Sequence, residues 1–150
     1  MTKSAAEQYA IRPIGIVGKK DKRAFVEVYP EYEEALSGLN QFSHIVVLYW
    51  FHKNDAPDKR KTLKVHPRGD PSNPLTGVFA TRSPVRPNLI GMTICELLFI
   101  EGTALYVDRI DALEGTPVID IKPCISRLDL VSRLRAPQWA EREREKKEND

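Results

Sequence analysis

No apolar run in this sequence is long enough to cross a bilayer: the longest, residues 45–51, has seven residues, against the ~20 that a spanning helix needs. The first seven residues are too polar for a signal peptide, and a cytoplasmic chain without membrane association is expected. Cysteine is scarce. Cys95 and Cys124 are the only two, without CxxC spacing, so neither a disulfide framework nor a thiolate metal site is indicated and both read as buried thiols. His44, His52 and His66 form no HExxH pattern, and no metal is expected. No GxGxxG follows a strand, so the usual dinucleotide-binding sheet is excluded. Excess charge is also missing: a net +2 gives no general attraction for a polyanion, and any such binding must come from local patches. What remains is an ordinary globular composition, 41% hydrophobic and 29% charged over 150 residues, enough for one domain with its own core.

The pattern along the chain is dominated by short strands. Residues 11–17 are apolar and β-branched, and residues 24–29 alternate, with Phe25, Glu27 and Tyr29 on one side and Val26 and Val28 on the other, the period of a half-buried strand. After Pro30, the spacing of Tyr32, Ala35, Leu36 and Leu39 predicts a short helix ending near Gly38, with Glu31, Glu33 and Glu34 in its first turns, where the dipole favours anions. The continuous run IVVLYWF within residues 44–52 predicts the central strand. Residues 53–76 turn polar and are interrupted by Pro57, Pro67, Pro71 and Pro74, which predicts a long exposed connection. Strands are expected at 77–80, 90–100, 103–107 and 118–121, the middle pair joined by a Glu101-Gly102 turn. There is no internal repeat. Many short strands with one or two short helices predict a mainly β protein, a single small closed or nearly closed barrel. This domain is assigned to residues 1–136, and residues 137–150, ending in EREREKKEND, form a charged tail or helix.

Two segments concentrate polar chemistry. GVFATRSPVRPNLIG, residues 77–91, sets Arg82, Arg86 and Asn88 among prolines, which stiffen the backbone and lower the entropy lost on binding. Its arginines suit a carboxylate or phosphate, although a loop arginine is as often simply solvated. DALEGTPVIDIKPC, residues 111–124, brackets a Gly-Thr-Pro turn with Asp111, Glu114 and Asp120 and leads to Lys122. Asp120 and Lys122 share one strand face, which ordinarily means an exposed ion pair. His44 and His52, read as the two ends of one strand, stand ~26 Å apart and belong to different sites. Basic residues cluster at Lys19, Lys20, Lys22 and Arg23, and again at Lys53, Lys59, Arg60, Lys61 and Lys64.

The strings IRPIGIV, LxxFSHIVVLYWFH, GVFATRSPxRPN followed by IG, and EGTPVxDIKP together resemble the TsaA-like, or TrmO, family of S-adenosylmethionine-dependent tRNA methyltransferases, from about Ile11 to Pro123. The resemblance implies a single-domain β-barrel, a homodimer, S-adenosylmethionine as cofactor, and tRNA as substrate, methylated on N6 of threonylcarbamoyladenosine beside the anticodon. By position it implies cofactor contacts at His52, Lys53, Arg82 and Met92 and along Leu113, Glu114, Gly115 and Thr116. Arg82 is suited to the cofactor carboxylate and Glu114 to its hydroxyls or amino group. Arg86, Asn88 and Lys122 are then assigned to substrate, and Asp120 to a general base.

The sequence departs from the family at Leu89, Glu114 and Cys124, where proline, aspartate and tyrosine are usual. Residues 18–23 are a short basic stretch where the family carries a longer loop with Pro-x-Gln. Two other readings stay open: transfer to a different nucleotide or small molecule, and a non-catalytic barrel that binds nucleic acid.

Overall fold

In a computed structural model, residues 7–142 are described. Among the described residues there are eight strands: β1 (Gly15–Lys20), β2 (Arg23–Val28), β3 (His44–Trp50), β4 (Lys64–Val65), β5 (Thr76–Gly77), β6 (Ile90–Glu101), β7 (Ala104–Val107) and β8 (Pro117–Pro123). Six of them close into a barrel in the order β1-β2-β7-β6-β3-β8, every neighbour antiparallel, and β4 and β5 pair separately. Three short α-helices accompany them among the described residues, α1 (Pro57–Lys61), α2 (Ser126–Asp129) and α3 (Gln138–Glu141). The mainly β, closed-barrel reading of the sequence is therefore what the chain forms. The charged end, from residue 143 onward, lies outside the described residues.

Alternation decides which side chains enter the barrel. Val17, Val26, Val28, Ile45, Val47, Tyr49, Cys95, Leu105, Val107 and Val118 are all at most 3% exposed and form one core. A one-residue slip would turn each of these strands inside out, so the barrel's register is held by its own hydrophobic pattern. A bulge at β8 sets Asp120 opposite Leu48 but Val118 opposite Tyr49, which keeps Val118 and Ile121 inward on either side of the irregularity. Both ends are plugged by segments that cross between strands on opposite sides. The β2–β3 connection passes under the barrel with Tyr32, Leu36 and Leu39 against the core, and residues 108–116 pass over the other end with Ile110 and Ala112 against it.

Several local expectations are corrected. The first strand begins at Gly15 rather than residue 11 and runs on to Lys20, because pairing with β2 continues to Lys20↔Arg23. Lys19 and Lys20 are thus strand residues, and only Asp21 and Lys22 form the turn, both with positive φ, 51° and 63°, as the right-handed twist of a two-residue hairpin demands. The short helix expected after Pro30 is present, but as a 3₁₀ helix, Pro30–Leu36, that ends before Gly38 and has no buried residue. The central strand stops at Trp50, and His52 lies in a 3₁₀ turn, His52–Asn54. His44 and His52 therefore do not share a strand. The expected strand at 77–80 is only the end of β5 followed by a 3₁₀ turn, Val78–Ala80. Residues 53–76 are more ordered than their polarity suggests: they hold α1, β4 and a turn in which Asn73 is buried, donating from Nδ2 to the Pro67 carbonyl at 2.9 Å while its own carbonyl bonds the His66 ring at 2.8 Å.

Candidate functional site

Strand direction alone gathers the polar loops. The turn after β3, the 81–89 segment before β6, the 108–116 crossing and the tip of the β1–β2 hairpin all lie at one end of the barrel. Residues separated by up to about a hundred positions in sequence are brought together there.

A closed hydrogen-bond ring fastens this end. Tyr49 is inside the barrel, 2% exposed, and a buried phenol needs a partner. Its hydroxyl donates to the Asp111 carbonyl at 2.7 Å, which leaves Thr93 to donate to the phenol oxygen at 2.9 Å, and the Asp111 N–H in turn reaches Thr93 Oγ1 at 3.3 Å. Burial holds the Tyr49 phenol above its ordinary value of 10.0; the Thr93 hydrogen bond pulls it the other way, and the Arg82 charge lies close enough to do the same. The rings of Tyr49 and Phe51 meet edge to face, 5.7 Å apart, directly over Gly91, where a Cβ would come within 2.5 Å of Tyr49 and 2.6 Å of Phe51. The glycine of the IG string is required by that packing.

Beyond Asp111 the crossing segment is tied down again. Val17 N–H donates to the Thr116 carbonyl at 2.9 Å and Gly115 N–H to the Val17 carbonyl at 2.8 Å, extending the β1–β8 ladder into the loop. Gly115 has φ +83°, a conformation suited to glycine. Thr116 is buried, whereas Leu113 and Glu114 are exposed. The expected contact positions 113–116 thus divide into two anchors and two projecting side chains.

The arginine loop divides in the same way. Arg86 is half-buried, and its Nη1 donates to the carbonyls of Thr81 and Ser83, both at 3.2 Å. That guanidinium shapes its own loop. Arg82 is exposed and makes no hydrogen bond or ion pair among the described residues, so its charge is available to a carboxylate. Asn88 is exposed and Leu89 is fully buried, its carbonyl accepting the Phe51 N–H at 2.8 Å. His52 is half-buried and Lys53 exposed.

Met92, Leu48 and Asp120 form one row across the outer face of β6, β3 and β8, by the pairings Leu48↔Met92 and Leu48↔Asp120. This puts Met92 and Asp120 about two strand spacings, ~10 Å, apart on the same face. Both Asp120 oxygens are engaged: Oδ1 accepts the Ile121 N–H at 2.9 Å, and Oδ2 is 3.1 Å from Lys122 Nζ. The pair is half exposed, as the sequence spacing suggested. Of the second basic cluster, Lys59 Nζ donates to the uncharged Asn54 Oδ1 at 3.2 Å and Arg60 pairs with Asp55 at 3.2 Å, so both side chains are engaged within the protein and Arg60 is charge-paired. Lys61 and Lys64 are exposed, as are Lys19, Lys20, Lys22 and Arg23.

Sequence reasoning missed Tyr49, Thr93, Trp50, Asp55 and the holding role of Arg60. The one signal for Tyr49 was a hydroxyl-bearing ring at an inward position of an otherwise apolar strand. Among the described residues no cluster of three metal-binding side chains occurs, and no helix is long and apolar enough to cross a membrane.

These features fit the parts of S-adenosylmethionine: an uncommitted guanidinium at Arg82, a projecting carboxylate at Glu114, and exposed apolar side chains at Leu113 and Met92 for a carboxylate, hydroxyls and an adenine. Comparison with known proteins gives concordant matches. The family described as the tRNA-methyltransferase O N-terminal domain matches residues 2–130. A probable S-adenosyl-L-methionine-binding protein of Methanocaldococcus jannaschii is 49% identical over 121 residues, 81% of this chain and 96% of that protein. Human tRNA (adenine(37)-N6)-methyltransferase is 43% identical over 110 residues, 73% of this chain but 24% of the human protein. A crystal structure of TrmO from P. aeruginosa superposes with a TM-score of 0.70 at 30% identity, covering 91% of this chain. The chain spans 64% of the length of that structure.

Proposed function

Because the chain belongs to the family of tRNA-methyltransferase O N-terminal domains, we propose that it binds S-adenosylmethionine at the loop-bearing end of its barrel and methylates tRNA, on N6 of threonylcarbamoyladenosine beside the anticodon. The cofactor supplies a methyl group on a sulfonium, which leaves as the neutral thioether. Arg82 holds the carboxylate, Glu114 the hydroxyls or amino group, and Leu113 and Met92 border the adenine, with His52, Lys53 and the backbone around Gly115 completing the contacts. Transfer is an in-line displacement, so the protein must chiefly bring nucleophile and methyl carbon to ~3–3.5 Å in line with the leaving sulfur. Asp120 is assigned to accept the proton of the nitrogen, Asn88 and Lys122 to meet the acceptor, and Arg86 to hold the loop that faces it.

What most supports this function is the single Tyr49–Thr93–Asp111 ring, which locks β3, β6 and the 108–116 crossing together beside Arg82. Such fastening keeps polar groups in place for a ligand, as preorganisation requires. The chain acts in the cytoplasm, on tRNA held through phosphates by Lys19, Lys20, Lys22 and Arg23, with Lys61 and Lys64 contributing. It works as a homodimer. The exposed row Ile90, Met92 and Ile94 on β6, 43%, 37% and 46% exposed, beside Val46 and Leu48, supports an apolar contact between copies that borders the cofactor.

Titration calorimetry with the cofactor in chelator, followed by methyl transfer from labelled cofactor to bulk tRNA with and without the threonylcarbamoyl group, tests the reading. Binding, and transfer only to the modified tRNA, is expected. Absence of heat at millimolar cofactor removes the methyltransferase reading, and transfer that ignores the modification moves the acceptor to another nucleotide or a small molecule.

A further inference from the structure

Arg60 belongs by sequence to a basic stretch, yet its guanidinium is turned onto the protein. It lies over the Trp50 indole, 5.6 Å from the ring centre. Its Nη1 is 3.2 Å from Asp55 Oδ1, and its Nε donates to the Pro87 carbonyl at 2.9 Å. The Trp50 Nε1–H donates to the other Asp55 oxygen at 3.3 Å. Alongside, Asn54 Nδ2 donates to the Pro84 carbonyl at 3.4 Å, with Lys59 Nζ on Asn54 Oδ1 at 3.2 Å. The 81–88 loop has no strand ladder of its own, and at Pro84 and Pro87 it has no N–H to offer. Its outer carbonyls are reached by donors from the 54–60 segment, while Arg86 closes its inner turn. One guanidinium thereby joins the end of β3, which leads directly into His52 and Lys53, to the loop that carries Arg82.

We propose that Arg60 is a positioning residue for methyl transfer: it sets the 81–88 loop against the 52–54 turn so that both halves of the cofactor site stand in register, and it does not serve as a contact to tRNA phosphate. The role needs a planar group that stacks on an indole while donating in its own plane at two edges. Guanidinium does this; an ammonium on a flexible stem has the charge without the plane or the fork. The inference rests on the reading of the loop as part of the cofactor site.

Arg60→Lys separates the two roles, because it keeps the charge and removes the fork. Cofactor affinity by calorimetry, the salt dependence of tRNA binding and the thermal midpoint are measured for wild type, Arg60→Lys, Arg60→Ala and Arg82→Ala. Arg60→Lys and Arg60→Ala are both expected to weaken cofactor binding by about tenfold, the size of a displaced charge-assisted contact, with the salt slope of tRNA binding unchanged. Wild-type cofactor affinity in Arg60→Lys, together with a salt slope lowered by about 1 in Arg60→Ala, identifies a phosphate contact instead and overturns the proposal. A lowered midpoint with intact cofactor affinity reduces Arg60 to fold support and overturns it too. Wild-type cofactor affinity in Arg82→Ala defeats the cofactor reading of the loop itself; weakened binding there with none in Arg60→Lys defeats the positioning role alone.

Discussion

The two arginines of the 77–91 segment look equivalent as letters and are separated by what they touch. Arg82 has no hydrogen bond among the described residues, whereas Arg86 bonds two carbonyls of its own loop. Arg82→Ala should weaken cofactor binding by about 1.5–3 kcal/mol, a lost charge-assisted bond, at an unchanged thermal midpoint. Arg86→Ala should lower the midpoint and the hydrogen-exchange protection of the loop as well. Equal behaviour of the two in calorimetry and exchange contradicts the division. Tyr49→Phe removes one hydroxyl from a three-member ring and should destabilise by about 1–2 kcal/mol, read in urea unfolding. Cys95 yields a pH prediction. Burial pushes its thiol up from 9.0 to about 12, so the unfolded chain ionises first as pH rises. Stability from this group is complete below pH 9 and declines between there and about 12, by up to ~1.4 kcal/mol per pH unit. Unfolding curves across that range should show the decline, and Cys95→Ala should flatten it. Native alkylation should label the half-buried Cys124 and spare Cys95.

Individual strands carry their own constraints. β6 holds Gly91 beneath two aromatic rings, and Gly91→Ala should cost about 1–3 kcal/mol because the rings must move; an unchanged midpoint in thermal unfolding contradicts the packing. The β1–β2 hairpin places Lys22 at φ 63°, so Lys22→Gly should relieve strain by about 1 kcal/mol. If this hairpin meets tRNA phosphates, Lys20→Ala with Lys22→Ala should lower the salt slope of binding by about 1 to 2 and leave cofactor affinity alone. At this scale much was legible in the letters. The alternation of residues 24–29 and the apolar run after His44 specified β2 and β3, because burial on one or both faces leaves a periodic trace. The short helix expected after Pro30 is present and is of the 3₁₀ kind: apolar spacing marks which side chains turn toward the barrel but does not distinguish a tighter turn when none of them is fully buried. The 53–76 stretch reads by sequence only as a long exposed connection, because part of its order comes from polar contacts such as Asn73 to Pro67, which leave no hydrophobic pattern.

For the whole molecule, the proposed dimer places the apolar row on β6 against a second copy. Ile94→Asp, at a position 46% exposed and facing away from the core, should then give a folded monomer in sedimentation with weakened cofactor binding, whereas an unchanged sedimentation coefficient removes that face as the contact. The sequence by itself determined the class of fold, the two segments of dense chemistry and the family resemblance, since hydrophobic period and motif spacing are local and survive in the order of letters. Only the tertiary structure decided which residues of those segments are available to a ligand. Tyr49, Thr93 and Asp111 meet because antiparallel strands distant in the chain end at one rim. Arg60, one member of a basic cluster by sequence, becomes a holding group because Trp50, Asp55 and Pro87 converge on it. Hydrogen bonding and desolvation depend on distances between such remote groups, and closure of the barrel is what sets them.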